Sequence, residues 1–355
     1  MLLENGDLQW TVEPDHPPLR VDHYLKERLP GHPRSALQRY IRQGGVMRID
    51  RASGRLLPLK PASKVRPGDL LRIRRPTRRV PTGVAPGPQP ALRILHEDQV
   101  LVVVDKPAGM LVHPSGAHTS DTVITQLRTR YGADLDLAHR LDRETSGLLV
   151  LTRTKSATRV MKEAFKQRRV HKRYLALVRG APTWSSVTVD LPLGPGHGEV
   201  RVRQAVREDG APATTRFEVV RRVSSHHTLL AAIPLTGRLH QIRVHLEALG
   251  LPLFADKIYG SDGSPFLHFY EHGLTTELLQ QLGHWRHALH ASDLWFHHPE
   301  TGNAMHLHAP LPPDLETLVE QLTESKQSTA ISDVVRRFSV RWRTEIQKRA
   351  DVSAG

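Results

Sequence analysis

The stretch that organises the rest of the chain is Ala138-His139-Arg140-Leu141-Asp142-Arg143-Glu144-Thr145-Ser146-Gly147, followed by the apolar run Leu148-Leu149-Val150-Leu151. Its last three loop residues are typical of turns, and the apolar run is short enough to be one buried strand. We therefore expect the loop to be attached to a stiff element, where reactive side chains can be positioned. Asp142 lies between Arg140 and Arg143, and nearby cations favour the charged form of a carboxylate. An ionised Asp142 suits a nucleophile or a charge stabiliser better than a proton donor.

An isolated cluster of one acid and two arginines is more often a structural ion pair than a reaction site. Here the pattern His139-Arg140-Leu141-Asp142-x-x-Thr145-Ser146-Gly147 resembles the signature of the RluA-type pseudouridine synthases at every fixed position. The resemblance implies that Asp142 is the catalytic residue. It also implies that the surrounding polar side chains bind RNA, with Arg140 filling the gap left by a flipped uridine; these are His139, Arg140, Arg143 and Thr145. Protein kinases carry the tripeptide His-Arg-Asp in their catalytic loop, but here Leu141 interrupts it, so the stretch does not indicate a kinase.

A second chemical stretch runs from Val170 to Ala176. Strand alternation would put Lys172 and Tyr174 on one face. A tyrosine in a strand is usually ordinary packing, but Lys172-x-Tyr174 is similar to the second motif of the same family. The resemblance implies that Tyr174 stacks on the target uracil and takes the proton from its carbon 5, and that Lys172 contacts RNA.

The third stretch is Leu235-Thr236-Gly237-Arg238-Leu239-His240-Gln241-Ile242-Arg243-Val244-His245, which resembles a family segment in full. So many cationic and donor side chains in a short span suit phosphate and carboxylate binding. The resemblance implies that Arg243 pairs with Asp142, and that Arg238, His240 and Gln241 bind RNA. In the later segment from Pro252 to Gly260, Ala255 stands where the family usually has glycine, which is expected to shift one turn.

The composition favours a polyanionic partner. The chain has 355 residues and a net charge of +14, with its cations in clusters, which points to nucleic acid. The absence of cysteine excludes disulfides, iron–sulfur clusters and thiolate zinc sites. The histidines between His284 and His308 lack a metal-binding spacing, so neither a metal nor another cofactor is expected. With no membrane-length apolar run and no secretory signal, the expected location is the cytoplasm, without a membrane partner.

Five segments are predicted from the residue patterns: a loose or edge-pairing leader (1–18), a small RNA-binding domain (19–75), a proline-rich linker (76–91), a catalytic domain (92–312) and a helical tail (313–355). The small domain is predicted to contain one helix from about Val21 to the stop at Pro30-Gly31. A second helix, from Pro33-Arg34 to Gly44-Gly45, would present basic side chains to phosphates; these are Arg34, Arg39 and Arg42. Strands are expected at Val46–Ile49 and Leu70–Ile73. Residues 19–75 resemble the RNA-binding domain first seen in ribosomal small-subunit protein S-four.

The catalytic domain is predicted to be α+β, since helices alternate with short strands. Expected elements are a strand at Val100–Val104, a turn from Asp105 to Gly109, and a strand at Met110–His113. Two helices follow, one capped by Ser120-Asp121 and ending near Tyr131, the other capped by Ser156 and burying Val160, Met161, Ala164 and Phe165. The resemblance implies a pseudouridine synthase-like domain on a mixed, largely antiparallel sheet, preceded by a small α/β RNA-binding domain.

The resulting hypothesis is an RNA pseudouridine synthase, an isomerase that acts as a monomer on ribosomal RNA of the large subunit. Transfer RNA remains an alternative substrate, and a non-catalytic RNA-binding or ribosome-assembly factor remains an alternative class. Whether Asp142 bonds to the sugar, bonds to the base or removes a sugar proton is open at this stage.

Overall fold

The computed structural model describes residues 8–29, 34–42, 44–74, 92–114, 121–323 and 330–354. The chain divides into two compact units, residues 1–80 and 81–355. Several predicted features lie outside the described residues: the stop at Pro30-Gly31, the start at Pro33, the linker 76–91, Ser120 and the side chain of Arg39. Within the described residues, no helix is both long and apolar enough to cross a membrane.

The first unit is a small α/β fold. Its elements are β1 (Leu8–Thr11), β2 (Leu19–Arg20), α1 (Val21–Arg28), α2 (Arg34–Arg42), β3 (Val46–Ile49), β4 (Leu56–Pro58), β5 (Lys64–Val65) and β6 (Leu70–Ile73). Four strands form an antiparallel sheet in the order β1-β6-β3-β4, and β2 pairs with β5. The predicted strands at β3 and β6 are confirmed residue for residue. Part of the predicted leader, Leu8–Thr11, pairs with β6 at the edge of the sheet, so these residues are not loose.

One apolar core holds the first unit together. It is formed by α1, α2 and the inner face of the sheet, and its buried members include Tyr24, Leu25, Leu37 and Ile41. These side chains recur at helical spacing in the sequence, which is why each helix buries one stripe and leaves the other in solvent. The apolar stripe of each helix is therefore the face that packs.

The second unit carries a ten-stranded sheet and seven helices among the described residues. The elements are β7 (Arg93–Glu97), β8 (Leu101–Lys106), α3 (Val123–Tyr131), β9 (Asp136–Leu137), β10 (Ser146–Thr152), α4 (Lys155–Lys166), β11 (His171–Arg179), β12 (Ser186–Asp190), β13 (Leu193–Pro195), β14 (Gln204–Val206), β15 (Thr214–Ser224), β16 (His227–Pro234), α5 (Gln241–Ala248), α6 (Ser264–His272), α7 (Thr276–Leu282), β17 (Leu289–His297), β18 (Ala304–His308), α8 (Pro313–Leu322) and α9 (Ile331–Ala354).

The strand order is β12-β15-β16-β11-β17-β10-β8-β7, with β18 on β17 and β9 on β10. Among the described pairs only β10 and β17 run parallel, through Ser146 with His290 and Gly147 with Ala291. The sheet is thus mixed and largely antiparallel, as expected. Gly147 has φ 109°, and a Cβ there would overlap the carbonyl oxygen of Ala291. Only glycine therefore allows the strand behind the Asp142 loop to approach β17 so closely.

The apolar run of β10 is buried because both of its faces are covered. Leu148 and Val150 pack with α4, whereas Leu149 and Leu151 pack with α3. A strand covered on both sides reads as a continuous apolar run rather than an alternating one. The predicted buried strand is therefore confirmed, with one helix on each face.

Some local predictions are wrong. Residues 110–113 form no strand; Leu111 makes an isolated bridge to Thr122. Asp105 and Lys106 belong to β8 rather than to the following turn. The N-caps are Thr122 for α3 and Thr154 for α4, because their hydroxyls accept the N–H groups of Thr125 and Ala157.

Two packing expectations also need correction. Val160 on α4 is 36% exposed, while Met161 and Ala164 carry the buried stripe. The last two helices do not stand apart from the catalytic fold, because Leu315 and Leu318 of α8 and Ile331 and Val335 of α9 belong to the same apolar cluster as Leu175 of β11. Helices α8 and α9 therefore contribute to the core of the second unit.

Candidate active site

Asp142 lies in the loop between β9 and β10, with its carboxylate at the centre of a charged cluster. Its Oδ2 accepts a hydrogen bond from Nη1 of Arg243 at 3.1 Å and lies 3.8 Å from Nε2 of His240. The side chain is 27% exposed, against 6% for that of Arg243. The carboxylate is therefore held from the protein side and open on the other, as a group that meets a substrate must be.

The guanidinium of Arg243 is held in position by a second carboxylate, that of Asp256. Arg243 lies in the first turn of α5, and its Nε and Nη2 each donate to Asp256 at 2.7 Å. Oδ1 of Asp256 also accepts the backbone N–H groups of Ile258 and Tyr259. Burial raises the pKa of Asp256, but Arg243 lowers it more, so the net pKa is well below the usual range. Asp256 thus aims the guanidinium, and Nη1 is left for Asp142.

The left-handed residues around this pair are not glycines. Ala255, directly before Asp256, has φ 57°, and His240, the N-cap of α5, has φ 55°. An alanine adopts this left-handed conformation at a cost of roughly 1 kcal/mol.

His240 joins the cluster as a neutral ring. Its Nδ1 is 2.8 Å from the hydroxyl of Tyr259, and the two rings meet edge to face at 5.6 Å. Burial and the neighbouring Arg243 lower the pKa of His240 to about 4. At neutral pH the ring can therefore hydrogen-bond but adds no charge beside Asp142.

Tyr174 comes from the middle of β11 and packs against the cluster that contains Ile242 of α5. Burial, together with the charge of Asp142, raises its pKa above that of free tyrosine. Among the described residues, no hydrogen-bond partner holds its hydroxyl. Lys172 lies two residues before Tyr174 on β11. Its Nζ is 3.4 Å from the carbonyl of Thr236, and burial lowers the pKa of the lysine to about 8. The three sequence stretches are therefore brought together from a loop, a strand and a helix.

A buried lysine that the sequence motifs do not single out as a site residue organises the Asp142 loop. Nζ of Lys106 donates to the carbonyls of Pro107 at 2.8 Å, Met110 at 3.0 Å and Arg143 at 3.1 Å. Burial, and then the charge of Arg286, lowers the pKa of Lys106 to about 7. Its position two residues after the apolar run Leu101–Val104 was the signal available in the sequence, because a lysine is fully buried only when its donors are used.

The other side of the loop is held through Glu144. Its carboxylate accepts from Lys257 at 2.7 Å, and its carbonyl accepts from Arg286 at 3.2 Å. Arg286 is fully buried and donates to both carboxylate oxygens of Asp314, at 2.7 and 3.0 Å, in the first turn of α8. The loop is therefore tied to the C-terminal helices by contacts between residues more than 100 positions apart, which no local pattern reveals.

Three residues expected to bind RNA have polar atoms engaged by the protein: Gln241 and Thr145 are buried, and His139 is half-buried. Gln241 is 4% exposed, and its amide bonds Thr236, Thr214, Thr215 and the N–H of Arg238. Thr145 is buried against His287 at 2.8 Å. His139 accepts the N–H of Val150 and stacks on Phe165, and burial lowers its pKa to about 3. Since their polar atoms already have protein partners, these three order the loops rather than present themselves to a ligand.

The arginines of the two loops are at the surface. Arg143 and Arg238 are exposed but each donates Nε to a carbonyl, of Gly109 at 2.9 Å and Pro212 at 3.1 Å. Arg140 is exposed, and its side chain makes no hydrogen bond or ion pair with the described residues. Arg140 is thus the loop cation most available to a ligand.

In the first unit, Arg34 has a structural partner as well. Its guanidinium lies 3.0 Å from Asp22, a fully buried carboxylate that also accepts from Arg20 at 3.1 Å and Gln38 at 2.6 Å. Burial raises the pKa of Asp22, but these donors bring it well below the usual range. Arg42 is exposed. If Arg34 binds a phosphate, its guanidinium must therefore do so while it remains paired with the buried Asp22. Nowhere in the described parts of either unit do three or more potential metal-binding His, Asp or Glu side chains cluster.

The stretches that form this site lie in a region that matches a known family. The sequence model of the family described as RNA pseudouridylate synthase matches residues 100–248, which include Asp142, Tyr174 and Arg243. The chain is 38% identical to "Ribosomal large subunit pseudouridine synthase C" of Pasteurella multocida, over 90% of this chain and 94% of that protein. It is 35% identical to "Ribosomal large subunit pseudouridine synthase D" of Xanthomonas campestris, over 92% and 96%.

Among solved structures, "Human RNA Pseudouridylate Synthase Domain Containing 1" is 27% identical and covers 69% of this chain and 100% of its own, with a TM-score of 0.51. The relatives match nearly their full length and keep identity above 30%. This chain therefore belongs to the RNA pseudouridylate synthase family, whose members are isomerases.

Proposed function

We propose that the chain isomerises uridines in ribosomal RNA of the large subunit, with Asp142 as the catalytic residue. The observation that carries this proposal is the convergence on Asp142: a half-open carboxylate is aimed by Arg243, which is itself held by Asp256, and Tyr174 lies beside it. The names of the related large-subunit synthases support the choice of RNA.

The reaction detaches uracil from its ribose, turns the base and rejoins it through carbon 5. Breaking the glycosidic bond develops positive charge on the sugar, and a carboxylate can stabilise or capture that charge. Every atom of the product comes from the substrate, so the chemistry calls for no redox cofactor. Whether Asp142 bonds to the sugar, bonds to the base or removes a sugar proton, the substrate must lie against the open side of its carboxylate.

Tyr174 is proposed to stack on the uracil. Because burial raises its pKa, the phenol stays protonated at neutral pH and is a poor base. Stacking on an exposed base contributes roughly 1–3 kcal/mol, which helps to offset the few kcal/mol that removal of a base from its stack costs. The raised pKa of Tyr174 therefore supports a stacking role more strongly than removal of the proton from carbon 5.

Arg140 is the residue we assign to the gap left by the flipped uridine, since its guanidinium is exposed and unengaged within the described structure. Phosphate contacts are proposed for three further cations of the site stretches: Arg143, Arg238 and Lys172. His240 is assigned to the orientation of Asp142. We further propose that the enzyme works as a monomer in the cytoplasm.

The first unit is proposed to bind RNA phosphates through Arg39 and Arg42 of α2. Arg34 is proposed to contact phosphate as well while it remains paired with Asp22. Deletion of residues 1–75 should weaken RNA binding and leave slow turnover of short substrates. Each lost phosphate contact should lower the slope of log affinity against log salt by roughly 0.7–0.9. An unchanged slope would show that this unit does not touch RNA.

The experiment that tests the function is a map of pseudouridines in total RNA from cells with and without the gene, followed by complementation with wild type or with Asp142→Asn. Loss of particular large-subunit sites, restored by wild type alone, is the expected result. Loss of transfer RNA sites instead would redirect the substrate. An unchanged map would favour a non-catalytic RNA-binding factor.

A further inference from the structure

A basic surface lies on the last helix, beyond the part of the chain that the motifs explain. Five cations with exposed side chains follow α9, and we call them the α9 basic face: Arg336, Arg337, Arg341, Arg343 and Lys348. Of the acidic side chains that the structure describes on this helix, Asp333 pairs with Arg336 at 3.0 Å and Glu345 lies 3.9 Å from Arg216 of β15. The face therefore carries a clear excess of positive charge.

The arrangement of this charge follows from the helix period. The buried positions recur every three or four residues, at Ile331, Val335, Ser339, Trp342 and Ile346. With 3.6 residues per turn, Arg337, Arg341 and Lys348 fall opposite the buried stripe. Arg336 and Arg343 lie at about a right angle to that stripe. From Arg336 to Lys348 the face extends over about 18 Å at 1.5 Å per residue. This length matches several successive phosphates of a nucleic-acid strand.

The helix is anchored, so its outer face has a fixed direction. Trp342 and Ile346 pack on Trp295 of β17, and the hydroxyl of Ser339 donates to the buried carboxylate of Asp293. Val335 belongs to the core formed with α8. A cationic face that is already ordered loses less entropy on binding than a flexible tail does.

The position of α9 relative to Tyr174 decides which part of an RNA it could meet. On β11, Tyr174 packs with the α5 cluster, whereas Leu175 and Leu177 pack with α8 and the start of α9. Successive side chains of a strand point to opposite faces, so α9 covers the face of β11 that lies away from Tyr174. An RNA at the active site can reach α9 only through segments that flank the target.

We propose that the α9 basic face binds the sugar–phosphate backbone of the substrate RNA outside the segment that holds the target uridine. The inference rests on the proposed function, since it needs an RNA substrate. The composition of the face favours RNA over a protein partner. Protein interfaces depend on buried aromatic and apolar anchors, but the one large apolar side chain exposed among the described residues of this face is Val340. Phosphate binding needs cations and little else.

The test uses the full chain with Arg337→Gln, Arg341→Gln, Arg343→Gln and Lys348→Gln combined. Glutamine matches arginine and lysine in helix propensity, so α9 should persist, and thermal unfolding checks this. Affinity is measured against salt for a long ribosomal RNA fragment and for a short hairpin from the same site, together with single-turnover rates on both. We expect the long RNA to bind roughly tenfold more weakly with a shallower salt slope, and the hairpin to be modified at the wild-type rate.

Two matched variants separate charge from shape. The combination Arg337→Lys, Arg341→Lys and Arg343→Lys keeps the charge and should keep the wild-type slope, because phosphates are bound through charge. Val340→Gln alters the same face without changing its charge and should have no effect.

If the glutamine variant binds the long RNA with the wild-type affinity and the wild-type slope of log affinity against log salt, the proposal is wrong. The α9 basic face would then be a solvated surface or a binding surface for an acidic protein. Equal losses on both RNAs would also overturn it, because α9 would then act near the target or on the fold. If wild type itself fails to modify the hairpin and the long fragment, the proposed function fails, and this outcome is recognised independently of α9.

Discussion

Two buried arginine–aspartate pairs in the second unit use the same two guanidinium nitrogens and have different surroundings. Nε and Nη2 of Arg243 donate to the two carboxylate oxygens of Asp256, whereas Nε and Nη2 of Arg173 both donate to Oδ2 of Asp293. The difference that matters for the site lies in the third nitrogen. Nη1 of Arg243 reaches Asp142, whereas Nη1 of Arg173 has no hydrogen-bond partner in the described structure. A buried ion pair becomes part of a site only when its spare donor is directed to a group that substrate can reach.

The surroundings of the second pair explain why it stays structural. Asp293 also accepts from Ser339 of α9 and lies 3.2 and 3.0 Å from ring nitrogens of His306 and His308. The guanidinium of Arg173 faces the rings of Phe338 and Trp342, at 5.2 and 5.7 Å. The pair is closed on every described side, so its charge serves to fasten α9 to the sheet.

The largest effect should come from Asp142→Asn. We expect turnover to fall about a thousandfold or more, since the charge used in the reaction is lost. RNA affinity should stay within a few fold, because phosphate contacts elsewhere supply it. The unfolding free energy should change by less than about 1 kcal/mol, because Arg243 keeps its pair with Asp256 and Asp142 is partly open to solvent. Appreciable turnover by a preparation shown by mass spectrometry to be free of deamidation would contradict the assignment.

Arg243→Met should lose nearly as much rate and, unlike Asp142→Asn, should also lose stability. The substitution leaves Asp256 buried without its cation, which costs about 3–5 kcal/mol. The double variant with Asp142→Asn should be little slower than either single one, because residues that act as one unit show non-additive losses. Arg243→Lys should rescue poorly, since it lacks the planar fork.

Single-turnover rates at saturating enzyme, on protein shown to be folded, separate this prediction from weak RNA binding. If the two rate losses multiply, or if Arg243→Met retains most of its rate, the pairing has no catalytic role and Arg243 is better assigned to a phosphate contact.

Arg173→Met breaks the other pair and should reverse the pattern. We expect a loss of about 3–5 kcal/mol of stability, because Asp293 keeps a buried charge without its main counter-ion. The rate per folded molecule at saturating RNA should stay within a few fold. Urea unfolding and single-turnover kinetics well below the melting temperature measure the two quantities. A large rate loss in fully folded protein would mean that the sheet transmits the change to Tyr174.

The smallest effect concerns Lys172, the neighbour of Arg173 on the opposite face of β11. Burial places the pKa of Lys172 at about 8, so its charge is present below pH 8 and is lost as the pH rises through that value. The KM for RNA should therefore rise a few fold between about pH 7 and pH 9. Lys172→Arg should flatten this rise, because arginine stays charged. An equally steep rise in that variant would assign the pH dependence to another group.

The residue patterns were sufficient for the parts of the fold that depend on local chemistry. The buried run of β10, the strands Val46–Ile49 and Leu70–Ile73, and the helical stripes of α1 and α2 all follow from apolar spacing, which the structure retains. Helix caps were less predictable, because Thr122 and Thr154 compete with neighbouring polar residues, and only the backbone geometry decides which side chain reaches the free N–H groups.

Long-range contacts decided the rest. The sequence alone pointed to the chemistry of Asp142, Tyr174 and Arg243 through motif resemblance, and the structure brings these three together. It could not show that Gln241 and Thr145 face inward, since their partners Thr215 and His287 are 26 and 142 positions away. Nor could it show that Lys106 and Arg286 hold the loop. A residue's type fixes which bonds it can make, but the direction of a side chain depends on distant segments that only the folded chain brings within hydrogen-bonding distance.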